Sequence, residues 1–204
     1  MAEALVVLSA YLLGSMPFGY WVVRLLKHED IRAVGSGNIG ATNVWRTYGK
    51  GYGIPIVVLD VAKGFVPAFV GALVANEVVG ALAGGAAMLG HWRPLFLRFQ
   101  KGGKTVATAG GTFFGLAPLL GVIGLVIWVV AFLVTRYASV GSIATALALP
   151  FVGIALGEPW PVLVFAVAAG IAVLVLHRGN IARLRAGTES RFRLPRLDGV
   201  TRRG

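Results

Sequence analysis

The chain alternates long apolar runs with short polar breaks, the pattern of membrane-spanning helices. The first run covers about Leu5 to Leu26. Met1-Ala2-Glu3 before it provides no basic leader, and the run is too long for the core of a signal sequence, so a retained helix is expected. Later runs cover about 54–75, 77–90, 106–117, 119–135, 139–156 and 160–176, divided by Asn76-Glu77, a basic loop, Pro118, Arg136 and Gly157-Glu158-Pro159. The apolar stretch from Val106 to Thr135 fits one long tilted helix or a tight pair broken at Pro118.

The placement of cations decides between these counts. With seven spans and an outside N-terminus, every Lys and Arg except Arg24 and Lys63 falls in an inside segment. Six spans would put the arginine-rich end outside. The expected fold is therefore an all-α integral membrane protein of seven transmembrane helices, with the N-terminus outside and the C-terminus cytoplasmic. Residues 1–190 form one membrane domain and residues 191–204 a basic cytoplasmic tail that meets anionic lipid. Two of the spans are too short to cross a core of ~30 Å unaided, which suggests a cavity beside the polar loop they flank.

Composition agrees. The chain is 57% hydrophobic and 13% charged, with a mean hydropathy of +0.80, where a soluble domain carries about 25% charged residues. Its 29 glycines sit mostly within apolar runs, where small residues let helices approach closely. With no cysteine, the chain has no disulfide framework, thiolate nucleophile, thiolate zinc site or iron–sulfur cluster. A net charge of +11 in so apolar a chain points to lipid headgroups or phosphate substrates before nucleic acid. There is no internal repeat and no inverted pair of broken helices of the transporter kind.

Three polar clusters could carry chemistry. Gly35-Ser36-Gly37-Asn38-Ile39-Gly40-Ala41-Thr42-Asn43 is followed by Arg46, and its glycines permit turns whose N–H groups converge on an anion while Arg46 offers a bidentate fork. Taken alone it is equally a plain loop. The second cluster runs from Gly90-His91 to Gly102-Gly103-Lys104-Thr105-Val106-Ala107-Thr108. Its end looks like part of a P-loop, but Arg98 stands where that motif needs glycine, so what remains is a glycine turn and a lysine at a helix start, a place that favours phosphate. The third, His177 to Glu189, places His177 and Asn180 one helical turn apart. Asp60 and Lys63 lie a turn apart at membrane depth, as a functional pair or one that only neutralises itself. Ser142, just inside a helix, would usually bond its own backbone. Three scattered histidines without ligand spacing predict no metal, and no histidine is followed by aspartate at the His-x-x-x-x-Asp spacing of soluble-facing glycerolipid acyltransferases.

In this order the clusters resemble the bacterial acyl-phosphate:glycerol-3-phosphate acyltransferase family, over nearly the whole chain. The carriers are Ser36 to Asn43 with Arg46, Gly90-His91 through Lys101-Gly102-Gly103-Lys104 and Val106-Ala107-Thr108, then His177, Asn180-Ile181, Arg183-Leu184, Gly187 and Glu189. Thr105 replaces the family's usual glycine, and Gln100 is an extra residue before the Lys-Gly-Gly-Lys run. The resemblance implies acyl transfer from acyl phosphate to the sn-1 hydroxyl of glycerol 3-phosphate, yielding lysophosphatidic acid and phosphate at the cytoplasmic face of a bacterial cell membrane. It implies no cofactor, no metal and no nucleic acid; membrane lipids and transient contact with the enzyme that makes acyl phosphate are expected.

A mixed anhydride has a good leaving group, so direct attack by the acceptor is expected, with His177, Asn180, Ser36 and Lys104 as catalytic residues. Gly37, Asn38, Gly40, Ala41, Thr42, Asn43, Arg46, Gly102, Gly103, Ser142 and Glu189 are the expected substrate-binding residues. Either His177 or a substrate phosphate takes the proton. On the residues alone three other readings compete: a carrier of phosphorylated lipid, an enzyme acting on other lipid phosphates, which would want acidic residues for magnesium, and a purely structural membrane protein.

Overall fold

The protein is described here by a computed structural model whose described residues are 1–192. Apart from Arg191 and Phe192, the expected basic tail of 191–204 lies outside them. Among the described residues the fold is all-helical: α1 (Ala2–Gly14), α2 (Phe18–Lys27), α3 (Ala41–Tyr48), α4 (Lys50–Val74), α5 (Glu77–Trp92), α6 (Val106–Leu116), α7 (Pro118–Thr135), α8 (Ala138–Leu156), α9 (Trp160–Leu176) and α10 (Arg178–Arg185).

The first apolar run is not one helix. Pro17 has no N–H to continue the ladder, so α1 ends at Gly14 and α2 begins at Phe18. The Val106–Thr135 stretch is likewise a broken pair, with Ala117 between α6 and α7 and Pro118 at the first helical position of α7, where a missing N–H costs nothing. The second half of the first polar cluster, expected as loop, is the helix α3, and the start of the third is the helix α10. Ala2–Lys27 taken together, α4, α7 and α8 are long and apolar enough to cross a membrane, and α9 with α10, after a 56° bend, makes a fifth candidate. At 16 and 11 residues, α5 and α6 are short of the ~20 that a full crossing needs.

Close backbone approach holds the bundle. A Cβ on Gly64 of α4 would come within 2.0 Å of the Thr108 carbonyl of α6, and one on Gly14 within 2.2 Å of the Ala87 carbonyl of α5. Such contacts replace the hydrophobic driving force that lipid does not supply between helices. One apolar core lies among α5 to α9 around Met88, Phe113, Leu120, Leu149 and Phe165. A second, around Val23, Ile31, Ile39, Val44 and Ile56, seats the first polar loop on α2 and α4. Large apolar side chains such as Leu73, Val134 and Phe151 face outward, as lipid-facing residues must.

Candidate active site

The loop before α3 is built around one side chain. The buried Asn43 carboxamide donates to the carbonyls of Val34 at 3.0 Å and Asn38 at 2.9 Å, and its Oδ1 accepts the Ser36 N–H at 2.9 Å. Gly35 and Gly37 take left-handed backbone angles (φ +61° and +66°), which glycine adopts without steric cost. Asn38 accepts the Gly40 N–H at 2.8 Å, leaving its own Nδ2 buried and without a protein partner. Ser36 and Thr42 are exposed on the rim and Ala41 is buried beneath it. Arg46, on α3, donates to the Ser190 carbonyl at 2.8 Å and stacks on Phe192 at 4.5 Å, while its Nε is buried and unpartnered.

The second cluster lies on the end of α5. Gly102 N–H donates to the Trp92 carbonyl and Gly103 N–H to the His91 carbonyl, both at 2.9 Å. A Cβ on Gly102 would come within 2.1 Å of the His91 carbonyl, and one on Gly103 within 1.9 Å of His91 Nε2, so the turn admits no side chain at either position. Lys104 follows, and its Nζ donates to Asn180 Oδ1. Thr105 caps α6 at φ +62°, a strained angle for a β-branched residue. This is why glycine suits the position, and the Thr105 hydroxyl is buried without a partner. The extra Gln100 accepts from Arg32 at 2.6 Å, tying this loop to the Asp30–Arg32 turn.

The third cluster closes the site. Asn180 Nδ2 donates to Glu189 at 2.6 Å, joined there by Ser139 at 2.9 Å and by Arg183 Nε at 2.7 Å on the other oxygen. Burial alone pushes the Glu189 carboxyl up, but these three donors outweigh it and hold the group below its usual range. His177 Nδ1 lies 2.8 Å from the Val173 carbonyl, which can only accept, so Nδ1 carries the proton and Nε2 is left with its lone pair. Burial holds the His177 imidazole down at about 4. Burial, with Arg183 adding to it against the attraction of Glu189, lowers Lys104 to about 8. Arg46 is lowered too, first by burial.

Lys104, Asn180, Arg46, Arg183 and Glu189 thus form one partly buried, mainly basic cluster, in which Arg46 Nε is an unpartnered donor. An apolar groove of about 520 Å³ runs between α5 and α9, past Leu89 and Phe165 toward Trp160. Thr105, Trp92 and Leu176 line its other end, beside Lys104 and His177. Thr105 follows Lys104 and Leu176 precedes His177 in the chain, so this end of the groove adjoins the polar cluster.

Ser142 stands apart. Its hydroxyl donates to Ala138 O at 2.8 Å and accepts from Trp128 at 3.2 Å. Ser139, one turn earlier, reaches Glu189 instead; the helical spacing of the two serines was the signal available for it. Among the described residues no group of three or more His, Asp or Glu gathers as a metal cluster would.

Comparison with known proteins gives one answer. A family model described as Glycerol-3-phosphate acyltransferase matches residues 4–187. The glycerol-3-phosphate acyltransferase of Syntrophomonas wolfei is 41% identical over 94% of this chain and 98% of its own, and that of Aquifex aeolicus 44% identical over 94% and 100%. A crystal structure of PlsY, an integral membrane glycerol 3-phosphate acyltransferase in its glycerol 3-phosphate form, superposes with a TM-score of 0.91 at 40% identity over 95% of this chain and 96% of that one. Its lysophosphatidic acid form gives 0.88 at 38% identity.

Proposed function

The chain belongs to the glycerol-3-phosphate acyltransferase family and is an acyltransferase of membrane phospholipid synthesis, and we propose that its donor is an acyl phosphate whose acyl group passes directly to the sn-1 hydroxyl of glycerol 3-phosphate. The observation that carries this reading is an apolar groove whose end, at Thr105 and Leu176, is lined by the chain neighbours of Lys104 and His177, with Lys104 bonded on through Asn180 to Glu189. The donor's tail occupies the groove and its phosphate meets Lys104, the Gly102–Gly103 turn and the Ser36–Asn43 loop. Arg46 and Asn180 take the acceptor.

The acceptor oxygen bonds to the acyl carbon as the mixed-anhydride C–O bond breaks and phosphate departs. Lys104 offsets the charge that grows on the phosphate side. The hydroxyl proton goes to His177 Nε2, which burial keeps unprotonated and which two bound phosphates make more basic. No enzyme-bound acyl group is needed, in keeping with a chain that has no cysteine, and no cofactor or metal enters.

The same reading gives seven crossings: α1 with α2, then α4 to α9. It puts the N-terminus outside and the clusters on the cytoplasmic face, with α3 and α10 lying at that interface. Residues 1–190 act as one domain, in contact with membrane lipids and transiently with the enzyme that makes acyl phosphate. Donor choice tests the account: purified protein given glycerol 3-phosphate should make lysophosphatidic acid from palmitoyl phosphate and not from palmitoyl coenzyme A. Equal rates from the thioester would refute the donor assignment.

A further inference from the structure

We infer that the buried Lys63–Asp60–His91 cluster is a positioning device that fixes the Gly102–Gly103 turn and so aims Lys104 at Asn180. The inference rests on the functional reading above. Lys63 and Asp60 lie one turn apart on α4 at 2.8 Å, with side chains only 1% and 3% exposed. A buried pair of this kind does not earn its place by stability, since apolar residues of similar size often do as well or better. Ionisable groups at membrane depth call for another role.

The cluster reaches beyond the pair on both sides. Lys63 Nζ also donates to the Met16 carbonyl at 3.0 Å, at the break between α1 and α2. Asp60 Oδ1 faces His91 Nδ1 on α5 at 3.7 Å, too long for a hydrogen bond but close enough for the carboxylate to orient the ring. The opposite edge of that ring, at Nε2, underlies Gly103, and the His91 carbonyl accepts the Gly103 N–H. One histidine therefore touches the turn through both ring and backbone, and the ring's setting is controlled from α4. Lys104 is the next residue, and its ammonium spans to α10. A shift of the ring moves the turn, and a lysine displaced by about 1 Å can cost on the order of 10²-fold in rate.

The test uses the full-length protein in lipid nanodiscs, with His91→Phe, the paired variant Asp60→Asn with Lys63→Met, and Phe113→Leu from the apolar core as a destabilised control. Backbone hydrogen exchange at Gly102 and Gly103 should quicken about tenfold in the first two and not in the control. Their kcat should fall by about 10²-fold, while the unfolding midpoint of the paired variant stays at or above that of the control. Lys63→Arg, which keeps the ion pair, should restore most of the rate lost in Lys63→Met. Unchanged exchange at the turn in both variants, or rate losses no greater than the control's, would overturn the inference. If the unaltered protein made no lysophosphatidic acid, the functional reading would fall, and the exchange data would still decide whether the cluster holds the turn.

Discussion

Lys104 Nζ donates to the Oδ1 of Asn180, a side chain 76 residues away. That bond brings the glycine turn after α5 together with the segment after α9, and Asn180 passes it on through its own N–H to Glu189 at 2.6 Å. Because a carboxamide presents both an acceptor and donors, Asn180 connects a cation to an anion without being charged itself.

Lys104 should set the alkaline limb of activity. Its ammonium, lowered to about 8 mainly by burial, is charged at neutral pH and lost above it. We predict that kcat/KM falls as pH rises through about 8, and that Lys104→Arg, whose charge persists, moves the limb upward. Stability has the opposite sign: between about 8 and the ordinary lysine value the unfolded chain binds more protons, so the fold gains as pH rises. A limb that ignores the arginine substitution would assign it to another group.

His177 should contribute no limb to kcat/KM between pH 5 and 8, because in the free enzyme burial keeps its value at about 4. As pH falls from the ordinary histidine value toward 4, the unfolded chain takes up a proton the fold refuses, and stability declines. As the proton acceptor, His177 replaced by Gln should cost 10² to 10⁴ in kcat, in the usual range for a general base. A loss below tenfold in a folded protein would give the proton to a phosphate oxygen of the substrate.

Two glycines separate the turn from ordinary helix. Gly103→Ala would drive a Cβ to 1.9 Å from His91 Nε2, and should cost about 10²-fold in kcat through displacement of Lys104. Gly110→Ala on α6 meets nothing within 4 Å and should leave activity unchanged while raising stability by about 0.5–1 kcal/mol. Steady-state rates and thermal unfolding of the two variants check the contrast.

Asn43→Ala removes the side chain around which residues 31–43 are wound. The half-buried carbonyls of Val34 and Asn38 and the Ser36 N–H would lose their partners, at about 1–3 kcal/mol. A lowered unfolding midpoint with a raised KM for the substrates is expected. A normal midpoint would show that the loop is held by its apolar anchors Ile31, Ile39 and Val44 instead.

Much of this architecture is legible in the sequence. Apolar runs marked most of the helices to within a few residues, because their lengths are set by the bilayer and their ends by Pro, Gly and charge. The three polar clusters could be picked out by residue type. What sequence could not supply was contact across helices: that Ser139 reaches Glu189 while Ser142 pairs with Trp128, or that the ring of His91 lies under Gly103. The break at Pro17 was masked because the flanking residues are apolar on both sides. The Asp60–Lys63 pair was visible as an i, i+3 spacing, but its neighbours Met16 and His91 come from other helices.

Phosphate release from palmitoyl phosphate, followed in EDTA before and after addition of glycerol 3-phosphate, tests direct acyl transfer most directly. The account predicts no release above background until the acceptor is added, then phosphate and lysophosphatidic acid in equal amounts. A burst of phosphate without acceptor would reveal an acyl-enzyme, and a folded sample that formed no lysophosphatidic acid would contradict the assignment itself.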